Sequence, residues 1–348
     1  MPACHSAGSG KFTPDLLSGQ NRNSMGHPAL QRFSYFGQLG ILAGLVGAGF
    51  VLAGVVSIIP LLMIPGAGDV FGNSKGDMMD KLFVPENAGI LRWVQFLSTI
   101  FLFFLPPLIY AKICHKKAFK HLGYSHSVSL SQVLVVVALM LVSLPFVGML
   151  GQLTEMLPFS EATLKKFRIA EDEYVKQVAV IGRMDSIGDY IISLFMLAIL
   201  PAVFEETLFR GGMQNLLSRW TKLPVLAIII TSIVFSAIHF SYLGFLSRFA
   251  LSFILGWMYY RTGNLWLNII GHVINNAVAL TVLYVMKLKD PNIDLNKADP
   301  DFPFWLGFIS IAVVLAFFVL FERVSKHQVI EPGREQLMHD ETINPFGQ

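Results

Sequence analysis

Residues 39–65 read LGILAGLVGAGFVLAGVVSIIPLLMIP, and no charged residue stands anywhere between Arg32 and Asp69. A hydrocarbon core about 30 Å thick is crossed by roughly 20 apolar helical residues. This stretch supplies that length with room to spare. The same pattern recurs along the chain. No charge lies between Arg92 and Lys112, none between Lys120 and Glu155, and further charge-poor runs fill most of 189–322. Of 348 residues, 54% are apolar and 14% charged, against about 25% charged in soluble domains. Such a composition cannot be housed in one water-soluble core. The expected fold is therefore all-α, a polytopic membrane bundle of about eight spans whose first partner is the lipid bilayer.

The eight windows are 39–65, 93–111, 130–154, one starting near Tyr190, then 224–242, 243–260, 264–286 and 302–321. They divide the chain into a polar tail over 1–38, a helical domain over 39–324 and a second polar tail over 325–348. Gly40, Gly44, Gly47 and Gly49 in the first window suit close helix packing in lipid, and Pro106-Pro107 predicts a kink in the second. The polar stretch 155–189 reads as an amphipathic surface helix. Lys112, Lys116, Lys117, Lys120, Arg219, Lys222, Arg261, Arg323, Lys326 and Arg334 fall on one side of the alternating windows. Lys75, Lys81, the mixed-charge 155–189 loop and the acid-rich 287–301 stretch fall on the other. The positive-inside rule then puts both termini in the cytoplasm. The net charge of +3 forms no basic domain, so no nucleic-acid partner is expected. Cys4 and Cys114 make neither a disulfide framework nor a metal-ligand spacing. No cleaved signal is visible at the N-terminus, and Met25 is an alternative start.

Ionisable residues inside spans are costly and face a protein interior or a water-filled cavity. Here they form three groups: Phe204-Glu205-Glu206-Thr207-Leu208-Phe209-Arg210, Phe235-Ser-Ala-Ile-His239, and His272-Val-Ile-Asn275-Asn276. Glu206 and Arg210, four apart, can pair on one helix face; His272 and Asn276 share a face in the same way. At 1.5 Å per residue, Glu205 lies roughly 20 Å from the turn at Ser218–Lys222 and His239 roughly 25 Å beyond it; His272 and Asn276 lie roughly 12 and 18 Å beyond Asn264. With helix tilt all four reach one cavity.

Two kinds of chemistry suit this set. A carboxylate beside a histidine can take a proton from water and turn it on a carbonyl, while a second histidine and an amide can donate to the developing oxyanion. A Glu-His-His set also matches a zinc site with an open position, held by Glu205, His239 and His272, although no HExxH-type spacing is present. The plainer readings are a buried Glu206–Arg210 ion pair that fixes packing, histidines that only pack, and interhelical asparagine glue. A proton-coupled transporter would use the same residue types but should show repeat symmetry, which the sequence lacks.

The three groups resemble, in order, the motifs of the CAAX protease and bacteriocin-processing (CPBP, or Abi) family of intramembrane proteases. Glu205-Glu206-Thr-Leu-Phe-Arg210 stands for Glu-Glu-x-x-x-Arg. Phe235-Ser-Ala-Ile-His239 stands for Phe-x-x-x-His, and His272-Val-Ile-Asn275-Asn276 for His-x-x-x-Asn. The resemblance, centred on residues 190–286, implies hydrolysis of peptide bonds in membrane-associated or prenylated-type peptide or protein substrates. It implies that Glu205 and His239 activate the water, that His272 and Asn276 stabilise the oxyanion, and that Glu206, Arg210 and Phe235 support the site. No cofactor is required on this reading, zinc being the alternative. A non-proteolytic immunity factor or scaffold on the same fold is the competing function, and a bacterial cytoplasmic membrane the expected location.

Overall fold

A computed structural model describes residues 33–64, 81–124, 126–290 and 302–326. The two tails beyond these limits, Met25, Lys75 and most of the 287–301 stretch lie outside the described residues. Among the described residues the chain is all-helical, with no strand. The helices are α1 (Tyr35–Leu61), α2 (Pro85–Cys114), α3 (Leu130–Glu155), α4 (Glu161–Ile181), α5 (Ile187–Thr221), α6 (Pro224–Ala237), α7 (Phe245–Thr262), α8 (Leu265–Lys289) and α9 (Phe304–Val324).

Local chemistry sets the helix ends. Ser34, Ser129, Ser160 and Ser186 each accept a backbone N–H with their hydroxyl at the start of α1, α3, α4 and α5, and Asn264 does so for α8. These caps satisfy donors that helix starts leave open. Lys222 ends α5 in the left-handed region (φ 58°), and Pro224 begins α6 two residues later. Gly263 (φ 62°) closes α7.

Six helices (α1, α2, α3, α5, α8 and α9) are long and apolar enough to cross a bilayer, making this a multi-pass integral membrane protein. Large apolar side chains such as Phe50, Leu134, Trp305 and Leu315 cover their outward faces. The fifth expected span comes out shorter, and the sixth keeps its length but begins two residues later. α6 has 14 residues and stops at Ala237 instead of 242; at 1.5 Å per residue that is roughly 21 Å. α7 has 18 residues and carries Arg248 and Arg261. The intervening residues form a turn, which hydropathy does not distinguish from helix because Ile238, Phe240 and Leu243 are apolar.

The helices of α2 and α5 are not regular. Ile100–Phe104 and Leu194–Ile199 are π-helical and end just before Pro106 and Pro201. A proline removes a backbone donor from the ladder, and the widened turn ahead of it keeps bonding in register: Leu105 N–H reaches Ile100 O, and Leu200 N–H reaches Phe195 O. Pro106-Pro107, where the sequence predicts a kink, directly follow the first of these π stretches. A third π stretch, Thr207–Gln214, follows directly after Glu206; such insertions gather at functional sites.

Two apolar cores flank α5 and α8. One joins Val136, Leu139 and Met140 of α3 with Leu255 and Met258 of α7, Leu267 of α8 and Phe321 of α9. The other joins Leu42 of α1, Tyr110 of α2, Phe209 and Leu216 of α5 and Phe235 of α6. Of the glycines expected to pack in α1, Gly49 does so: a Cβ there would run into the Phe101 carbonyl of α2. Gly40, Gly44 and Gly47 differ from the expectation, having nothing within 4 Å of an added Cβ.

Candidate active site

Glu205 and Glu206 sit on the one regular turn, Leu200–Glu206, between the two π stretches of α5. Their environments diverge. Glu206 is fully buried, with its side chain 0% exposed. Its Oε1 forms an ion pair with the Arg210 guanidinium at 3.0 Å and accepts from His272 Nδ1 at 2.9 Å. Its Oε2 accepts from Asn268 Nδ2 at 3.4 Å. Arg210 in turn donates to the carbonyl and hydroxyl of Ser252 on α7, at 2.9 and 3.0 Å, and lies 5.1 Å from the Phe235 ring centroid. A buried charge persists only when paired and hydrogen-bonded; here one carboxylate and one guanidinium join α5, α7 and α8.

Glu205 makes no hydrogen bond among the described residues and keeps 11% of its side chain exposed. Its Oε2 faces His272 Nε2 across 3.9 Å, too far for a hydrogen bond. A separation of that width is one that a single bridging oxygen atom spans within hydrogen-bond distance of both groups. The Glu205-Glu206 pair therefore separates into a sealed carboxylate and a reachable one.

His239 occupies the turn after α6. Its Nδ1 lies 2.8 Å from the Phe235 carbonyl one helical turn back. A carbonyl only accepts, so Nδ1 carries the proton, and Nε2 of the neutral ring holds the lone pair. His272 has the same arrangement at its Nδ1, with the Glu206 carboxylate as acceptor. Phe235 stands between the two rings, 5.0 Å from His239 and 5.9 Å from His272. Asn276, the next turn along α8, donates to the Leu197 carbonyl at 3.4 Å, in the first π stretch of α5, and accepts from Asn275 at 3.2 Å. The site thus brings Glu205, Glu206, Arg210, Phe235, His239 and His272 together, with Asn276 directed at the α5 backbone just before the glutamates.

Asn268 and Ser252 are members of this network that the sequence reading did not single out. Asn268 had a signal: Asn268, His272 and Asn276 form one i,i+4 stripe of polar residues along α8. Asn268 Nδ2 also donates to the Leu255 carbonyl at 2.6 Å, joining α7 to α8 beneath Glu206. Ser252 carries no such mark.

Among the described residues no three His, Cys, Asp or Glu side chains are grouped closely enough to hold a metal ion. Glu206 is committed to Arg210 and His272, which leaves Glu205, His239 and His272 as the set that a zinc ion would take.

Residues 187–278 match the family model described as Type II CAAX prenyl endopeptidase Rce1-like. That stretch contains every residue named above as part of the site. The protein named "Uncharacterized protein YpbD", from Bacillus subtilis (strain 168), is 39% identical over 89 residues, 24% of this chain and 42% of that one. The match thus spans less than half of that relative's length. No solved structure matches the chain. The three motifs and the family match coincide on α5 through α8: over residues 187–278 the chain is similar to the Rce1-like CAAX endopeptidases of the CPBP family.

Proposed function

We propose that this protein is an intramembrane endopeptidase that hydrolyses a peptide bond of membrane-associated or prenylated-type peptides with an activated water. The observation that carries the reading is the division between the two adjacent glutamates. Glu206 is sealed and holds His272 and Arg210, whereas Glu205, buried but with 11% of its side chain exposed, makes no hydrogen bond among the described residues.

A water beside Glu205 loses its proton to the Glu205 carboxylate or to Nε2 of His239, and the hydroxide attacks the scissile carbonyl. His272, fixed in orientation by Glu206, presents Nε2 towards the same space. Protonated there, it donates to the oxyanion that forms, together with the second N–H of the Asn276 amide. Collapse of the tetrahedral intermediate breaks the C–N bond, and the proton taken from water passes to the leaving amine. Burial between two apolar cores keeps bulk water from competing and strengthens each of these interactions.

The same reading places the protein in a bacterial cytoplasmic membrane with both termini inside. The basic residues Lys112, Lys116, Lys117, Lys120, Arg219, Lys222 and Arg261, at one set of helix ends and the turns joining them, support that orientation. The test is turnover of membrane peptides by purified protein and by Glu205→Gln: product from the first and none from the second supports the reading.

A further inference from the structure

Helix α4 lies outside the family-matched stretch, yet it is fastened to the turn that carries His239. Its partly buried residues Thr163, Phe167, Ala170, Glu171, Tyr174 and Val178 recur at helical spacing, while Lys165, Lys166, Arg168, Asp172, Glu173 and Lys176 are exposed. The inward stripe meets residues 241–248 at three points. Ser241, 2% exposed, donates its hydroxyl to Glu171 Oε2 at 2.6 Å, the length of a charge-assisted O–H···O⁻ bond. The rings of Phe167 and Tyr242 stack at 4.6 Å and 21°, with Phe159 edge-on to Phe167 at 5.1 Å. The Arg248 guanidinium lies 5.0 Å from the Tyr174 ring and donates to the Ser241 carbonyl at 3.3 Å.

The turn needs such an anchor. Phe240, between His239 and Ser241, sits at φ 53°, a conformation that bulky residues adopt only when their surroundings impose it. Its side chain is 72% exposed, so packing of that ring does not impose it. On the α6 side, Nδ1 of His239 is tied to Phe235. On the far side, the first side-chain anchor after Phe240 is the Ser241–Glu171 bond.

We propose that Glu171 is a positioning residue: by gripping Ser241 it holds the strained turn at Phe240, and with it the imidazole of His239, so that α4 is a strap across the active site. The proposal rests on the proteolytic reading for its effect on turnover, but its effect on the turn can be measured without turnover. The experiment compares wild type, Glu171→Ala, Glu171→Gln and the exposed neighbour Glu173→Ala, all full-length in detergent. Hydrogen exchange of the 238–244 amides and carbethoxylation of His239 by diethyl pyrocarbonate report on the turn; kcat and KM report on function. Glu171→Ala should speed both turn readouts at least threefold and lower kcat about tenfold with KM within twofold. Glu171→Gln, which keeps an acceptor for the Ser241 hydroxyl, should recover most of the loss, and Glu173→Ala should match wild type. Unchanged exchange and His239 reactivity in Glu171→Ala overturn the proposal, as does a loosened turn with undiminished kcat. Wild type that cuts no peptide refutes the proteolytic reading instead, and the turn readouts still decide whether α4 straps the turn.

Discussion

Arg210 and His272 reach the same carboxylate oxygen of Glu206, at 3.0 and 2.9 Å, from two different helices. The contact makes Glu206 a joint between a structural cation on α5 and an imidazole on α8. It also explains why two adjacent glutamates can have different tasks: the second is saturated by protein partners, and the first is not.

Removing the cation should therefore damage the fold before it damages the chemistry. Arg210→Ala leaves Glu206 buried without its guanidinium, and breaking a buried pair from one side costs roughly 3–5 kcal/mol. The expected result is a marked loss of monodisperse protein and a lower melting temperature in detergent, seen by fluorescence-detected size exclusion and thermal unfolding. Undiminished melting would show that Glu206 does not need Arg210.

Asn268 should show an intermediate phenotype. Asn268→Ala removes a neutral donor from Glu206, a change worth about 1 kcal/mol, and frees the carboxylate to shift under His272. Turnover should fall several-fold through kcat while the protein still folds. Asn268→Asp sets a second carboxylate against Glu206 and should fold poorly. Equal yields for the two variants would contradict the placement of Asn268 beneath that carboxylate.

A third expectation concerns pH and lies outside the spans. Lys287 donates to Asp185 at 2.6 Å, and Arg183 pairs with the same carboxylate. These contacts, Lys287 first, hold the Asp185 carboxyl below its usual range. A carboxyl depressed in the folded state stabilises the protein above its unfolded value, about 3.9, and that contribution is lost as pH falls through the folded value. The melting temperature of wild type should thus exceed that of Asp185→Asn at neutral pH. The gap, small because the pair is half exposed, should close on acidification. A gap that widens as pH falls would contradict the sign.

Metal content tests a fourth point. With Glu206 held by Arg210, active protein should contain well under one zinc per chain, and a chelator should leave hydrolysis largely intact. Stoichiometric zinc, with activity lost to chelator and restored by metal, would instead assign Glu205, His239 and His272 as ligands.

Much of the architecture follows from charge-free windows, because lipid forces each crossing segment to satisfy its backbone internally. The sequence reading falls short where hydropathy is blind. The residues around His239 are apolar enough to extend a helix, yet they form a turn that Ser236 Oγ closes by donating to the Phe245 carbonyl. Gly40, Gly44 and Gly47 looked like packing residues because composition does not say which face meets a neighbour. In the site, i,i+4 spacing was enough to pair Glu206 with Arg210. The His272–Glu206 contact crosses from α8 to α5 and has no local signature. Asn268 sat on the same stripe as His272 and Asn276 but outside the motif, so it drew no notice.

The most direct test is cleavage of a membrane-peptide library by purified protein, followed by mass spectrometry, with wild type beside Glu205→Gln. The substitution keeps volume and hydrogen-bonding capacity and removes the base, whose contribution is about 10²- to 10⁴-fold. The account predicts defined cleavage products from wild type, none above background from Glu205→Gln, and equal melting temperatures for the two. Cleavage by Glu205→Gln at the wild-type rate would contradict it.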